Sequence, residues 1–115
     1  MSVSLHIDLD AINQKMILRL DGRLDAATSP ILERKINMLI DEKHYRIYLD
    51  FLRIEYLSSA GMRLLLSISK KLKTKKGALV VFSVGEEVME IIKLAGFEKI
   101  LLIFETEQDA LQYNS

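Results

Sequence analysis

At 115 residues, half of them apolar, the chain is sized for a single domain, residues 1–115, around one core. Sixteen basic residues balance sixteen acidic ones, which argues against a broad positive field for nucleic acid or an anionic membrane surface. The lack of cysteine excludes disulfides, thiolate metal sites and a cysteine nucleophile, and no apolar run approaches the length of a membrane span. Without a positively charged leader, the expected location is cytoplasmic.

Val3, Leu5, Ile7 and Leu9 alternate with Ser4, His6 and Asp8, the period-two pattern of an edge strand with one wet face. A few residues around Asn13 join it to a second strand, Lys15 to Leu20, which is predicted to run antiparallel to it. That strand ends at Asp21-Gly22-Arg23-Leu24-Asp25. Thr28-Ser29-Pro30 then supplies a cap and a first-turn proline for a helix closing near Asp41, with Leu32, Ile36, Leu39 and Ile40 inward. Arg46 to Phe51 reads as a third strand whose apolar run finishes at Leu49-Asp50. The turn Tyr56-Leu57-Ser58-Ser59-Ala60-Gly61-Met62 leads into a second helix, Ser59 to about Lys75, with Gly61, Leu65, Ile68 and Leu72 on one stripe and Gly77 as its stop. Ala78 to Val84 has the near-continuous apolar content of a strand covered on both faces. Glu86 to Ala95 follows as a helix with Val88, Ile91, Ile92 and Ala95 inward, closed by Gly96-Phe97. Ile100 to Phe104 makes a fifth strand, and Thr106-Glu107-Gln108-Asp109 opens a last short helix with a capping threonine and an acidic first turn.

The predicted order is β-β-α-β-α-β-α-β-α, an α/β fold with a mixed, mostly parallel sheet and an antiparallel edge strand. Right-handed crossovers bring the loops after the second, third and fourth strands to one edge of that sheet. Those loops carry Asp25, Ser59 and Gly85.

A strand-to-helix turn with two hydroxyls places Ser59 among backbone N–H groups at the positive end of a helix dipole, where a phosphate sits well. The plainer reading is that Ser58 caps the helix. A serine hydrolase would need a base beside Ser59, yet His44 precedes the third strand and His6 lies on the edge strand. No Gly-x-Ser-x-Gly elbow surrounds the serine either. Two distant histidines and scattered carboxylates give no metal-ligand spacing, and single glycines in the loops make no nucleotide-binding phosphate loop. The run Lys70, Lys71, Lys73, Lys75 and Lys76 answers the negative end of the second helix, and solubility accounts for it. Met62 and Leu66, one turn apart beside the core stripe, extend that stripe or, if exposed, form a partner-docking patch with Arg63 at its rim.

Four segments in order resemble the STAS domain family: Gly22-Arg23-Leu24-Asp25, Leu49-Asp50, Tyr56 to Leu65, and Leu94-Ala95-Gly96-Phe97. The match covers essentially the whole chain, and its stand-alone length is similar to that of the bacterial anti-sigma factor antagonists. By that resemblance Ser59 corresponds to the serine phosphorylated by a partner-switching kinase, and Asp25 to the acidic residue of the neighbouring loop. Asp50 and Gly61 also match. Ser58 stands where many members have Asp, and Ala60 where many have Ser or Thr, so Ser58 is a second candidate acceptor. The resemblance implies a non-catalytic protein, without cofactor or metal. Asp25, Ser58, Ser59, Gly61, Met62, Arg63 and Leu66 would bind an anti-sigma factor serine kinase and free a sigma factor. Phosphorylation would end the association, and a phosphatase would reset it. The alternative within the family is a STAS subunit bound to the ATPase of a lipid-transport ABC complex.

Overall fold

A computed structural model of the chain describes residues 5–113, so Val3 and Ser4 of the predicted first strand lie outside the described residues. The elements are β1 (Leu5–Ile12), β2 (Lys15–Leu24), α1 (Ser29–Asp41), β3 (Arg46–Leu57), α2 (Ser59–Thr74), β4 (Ala78–Phe82), α3 (Glu86–Leu94), β5 (Leu102–Phe104) and α4 (Glu107–Leu111). They form the expected order, with one five-stranded sheet arranged β1-β2-β3-β4-β5. Only the β1–β2 pair is antiparallel. Asn13 and Gln14, at φ 48° and 68°, make the two-residue turn whose twist matches that of the hairpin strands.

Every crossover advances one strand in the same direction, so right-handed connections collect α1, α2 and α3 on one sheet face. Alternation along the strands matches this arrangement. Leu18, Leu49 and Val81 join Leu32, Ile36, Leu65, Leu72 and Val88 in the main core, whereas Ile17, Tyr48, Val80 and Phe82 face Ala110 of α4 on the other side. Arg19 ties α4 down. Its guanidinium donates to Glu107 Oε1 (2.8 Å) and Oε2 (3.1 Å), and also to Asp10 Oδ2 (2.7 Å) and Asp50 Oδ2 (2.9 Å). These bonds, those to Glu107 first, hold the guanidinium even more firmly protonated than usual.

Several boundaries differ from the sequence reading, each for a physical reason. β3 continues six residues past Phe51 to Leu57, and β2 continues with it to Leu24. Between Asp50 and Arg53, and again between Ile54 and Tyr56, β3 advances one residue more than β2, so it carries two bulges. Phe51, Ile54 and Leu57 therefore all reach the core at intervals of three, a spacing that does not read as a strand. Asp50 does not end the strand; its Oδ1 accepts the N–H of Leu52 (3.0 Å) at the first bulge.

β5 is shorter than predicted because Ile100 and Leu101 both donate to the Phe97 carbonyl in a turn (3.1 Å each). Ala95, expected inward, is the exposed C-cap of α3. Gly96 does close that helix at φ 80°, in a Schellman motif completed by Phe97 N–H to the Ile92 carbonyl (3.0 Å). Gly77 plays a different role from the helix stop expected of it. The left-handed residue after α2 is Lys76 (φ 61°), whereas a Cβ on Gly77 would lie 2.0 Å from the Tyr45 carbonyl oxygen.

Candidate functional site

Two loops meet at the carboxyl ends of β2 and β3. The Ser58 N–H donates to the Leu24 carbonyl (2.9 Å), joining the start of α2 to the end of β2. Gly61 permits this approach, since a Cβ there would lie 2.8 Å from the Leu24 carbonyl oxygen and 2.8 Å from Leu57 Cδ1. The glycine is buried, and its N–H is held by the Ser58 hydroxyl oxygen (3.1 Å). Ser58 is thus the N-cap of α2. Ser59 follows as the first helical residue, and it is exposed. The two adjacent serines have different jobs: one closes the helix, and the other presents its side chain to solvent beside the positive end of the dipole.

Asp25 organises the neighbouring loop. Its Oδ1 accepts the N–H groups of Ala27 (3.0 Å) and Thr28 (3.1 Å), while Oδ2 lies 3.5 Å from Arg23 Nε. Thr28 N–H is the main reason the Asp25 carboxyl sits below its ordinary pKa, with the Thr28 hydroxyl, Ala27 and Arg23 adding to it. Thr28 was expected to cap α1, but no helix N–H reaches its side chain. Its hydroxyl instead accepts the Asp25 N–H (2.9 Å) and donates to the Arg23 carbonyl (2.8 Å), cross-bracing the loop.

The α2 residues divide. Met62 and Leu64 are core residues at 5% and 8% exposure, so the apolar side of the helix is a wide core stripe. Leu66 is half-buried against that core and Arg63 is exposed. The exposed patch of Met62 and Leu66 therefore does not form; what reaches solvent at this edge is Ser59, Arg63 and the rim of the Asp25 loop. Sequence reasoning missed a further pair here, Arg23 over the Tyr56 ring at 4.5 Å from its centroid. The bulges in β3 set these two residues side by side in register.

The other candidates lie elsewhere. His44 and Ser59 flank the twelve-residue β3 at opposite ends, and His6 pairs with Asp8 (3.2 Å) on the edge strand, so neither histidine meets Ser59. Asp50 is spent on Arg19 and the bulge. Among the described residues no helix is long and apolar enough to cross a membrane.

The family model "STAS domain" matches residues 6–110, and the chain belongs to that family. One relative, "Putative anti-sigma factor antagonist BtrV" of Bordetella bronchiseptica, is 29% identical over 92% of this chain and 91% of its own. A solved anti-sigma factor antagonist from Mycobacterium paratuberculosis shares 25% identity, covers 94% of this chain and 92% of that one, and has a TM-score of 0.84. The Bacillus cell fate determinant SpoIIAA in its phosphorylated form has the same fold, with a TM-score of 0.70 at 20% identity over 92% of this chain and 96% of that one.

Proposed function

We propose that this chain is an anti-sigma factor antagonist that captures an anti-sigma factor serine kinase at the edge formed by the Asp25 loop, Ser59 and the start of α2. Capture frees the sigma factor, phosphorylation of Ser59 ends the association, and a phosphatase restores it. The chain itself performs no chemistry in this cycle. Because the kinase consumes ATP, the reading carries a cytoplasmic location with it.

The observation that carries the assignment is the asymmetry of the two serines. Ser58 Oγ is engaged by the Gly61 N–H and is half-buried, whereas Ser59 is exposed at the first turn of α2. A kinase therefore reaches Ser59 without dismantling a helix cap. Phosphorylation adds about −1.5 to −2 charge, which the N–H groups of the first turn can hold within the molecule. The fold of phosphorylated SpoIIAA supports the idea that this architecture tolerates such a group. A partner surface packed over the same edge would meet an unpaired dianion beside the ionised Asp25. In an interface of ordinary size, about 1,600 Å², one such charge removes about 2–5 kcal/mol.

The test is incubation with the cognate kinase and ATP, followed by mapping of the product by mass spectrometry. Modification at Ser59, absent from Ser59→Ala and retained in Ser58→Ala, is the expected result. A product unmodified at both serines overturns the proposal.

A further inference from the structure

The amino ends of β2, β3 and β4 lie at the pole opposite the serine edge, together with the carboxyl ends of α1 and α2. Three connections meet there around an open hollow of about 610 Å³. Its wall carries Lys15, Lys43, His44, Arg46, Lys75 and Lys76, and no carboxylate lines it. Only Lys75 and Lys76 belong to the lysine run evident in the sequence; the fold gathers the others from 29 to 61 residues away along the chain, counting from Lys75 to Arg46 and from Lys76 to Lys15.

Of the basic side chains at this wall, His44 Nε2 lies 4.0 Å from Glu42 Oε1. Among the described residues, no ion pair involves Lys15, Lys43, Lys75 or Lys76. Lys15 donates to the Leu111 carbonyl, and Lys75 lies over the Tyr45 ring at 6.0 Å. The loops that hold them are tightly bonded: Ala78 N–H reaches the Tyr45 carbonyl (2.9 Å), and Gly77 leaves no room for a side chain beside it.

Two backbone positions add an independent observation. Lys43 (φ 67°) and Lys76 (φ 61°) both occupy the left-handed residue of a Schellman motif, where glycine is the unstrained choice. His44 N–H to the Leu39 carbonyl (2.9 Å) and Gly77 N–H to the Leu72 carbonyl (2.8 Å) complete the two motifs. Helix-end electrostatics does not account for the whole cluster. The terminal carbonyls of both helices already receive backbone bonds, and each macrodipole is worth only about half a charge. Strained backbone retained at a charged hollow is the pattern of a functional site.

We infer that this hollow binds a small soluble anion carrying adjacent phosphate groups, held by Lys43, Lys75 and Lys76 with Lys15 behind them. Lysine ammoniums match several phosphate oxygens at once, and the concave wall favours a compact polyanion over a flat surface.

The test titrates the full chain with inorganic pyrophosphate in about 0.15 M chloride, where surface charges are screened beyond about 8 Å. The expected result is saturable one-site binding by calorimetry, with amide shifts centred on Asn13, Lys43, Lys76 and Gly77. In the double variant Lys43→Gly, Lys76→Gly, affinity should fall about tenfold or more while the melting temperature holds or rises, because glycine relaxes both turns. Either absence of saturable binding at millimolar pyrophosphate or full affinity in the double variant overturns the inference. So does binding seen only with phosphatidylglycerol vesicles, which would make the pole a membrane contact.

Discussion

The two ends of the sheet handle helix termini in opposite ways. At the serine edge, helices begin: Ser58 and Asp25 accept backbone N–H groups, and Glu55, Glu86 and Glu87 line the adjoining surface. At the far pole helices end, and lysines surround their carbonyls. The chain has no net charge, yet the hollow at the far pole is lined by six basic side chains and no carboxylate. The parallel topology accounts for part of this contrast. Parallel β-α-β units stack all helix starts on one side and all ends on the other. Glu86 and Glu87 in the first turn of α3 and Lys71 and Lys73 in the last turn of α2 therefore fall towards opposite poles, although α1 carries neither an acidic first turn nor a basic last turn. A charge balance that argues against an extended positive field for the chain as a whole therefore coexists with a concentrated one at a single pole.

The comparison is broken most forcefully at Ser59. Ser59→Glu should weaken association with the anti-sigma factor kinase by about 2–5 kcal/mol, roughly 30-fold or more, while circular dichroism and melting temperature stay unchanged. Ser59→Ala should retain affinity when titrated calorimetrically against the same kinase. At the other pole, Gly77→Ala forces a Cβ onto the Tyr45 backbone and should cost about 3 kcal/mol or more in urea unfolding. Gly61→Ala meets the Leu24 carbonyl and the movable end of Leu57, so about 1–3 kcal/mol is expected from the same measurement.

Smaller effects sharpen the roles within the serine edge. Ser58→Ala removes the cap of α2 and should cost about 1 kcal/mol while leaving Ser59 phosphorylatable. Asp25 has a depressed pKa in the folded state, so its contribution is present above the ordinary carboxylate value and is lost as pH falls through the folded value. Stability should therefore decline below about pH 4, and Asp25→Asn should flatten that part of the acid-unfolding curve.

Much of the architecture is legible in local patterns. The inward Leu5 of β1, the first-turn proline of α1, the inward stripe of α2 and the threonine cap of α4 all appear in the structure, whereas Leu9 is 42% exposed and the Thr28 side chain caps no helix N–H. The length of β3 is not legible, because its two bulges turn a period of two into a period of three at Phe51, Ile54 and Leu57. Met62 could not be assigned from helical spacing alone. A helix crossing the middle of a sheet buries more of its girth than one stripe, and only packing reveals how much.

The amino-acid sequence by itself determined the element order, the hairpin, the family and the serine pair, since each is carried by residues close together along the chain. Tertiary structure decided which serine is exposed, where Met62 points and which lysines share a wall. Those depend on contacts between segments tens of residues apart, and local propensity does not encode such contacts.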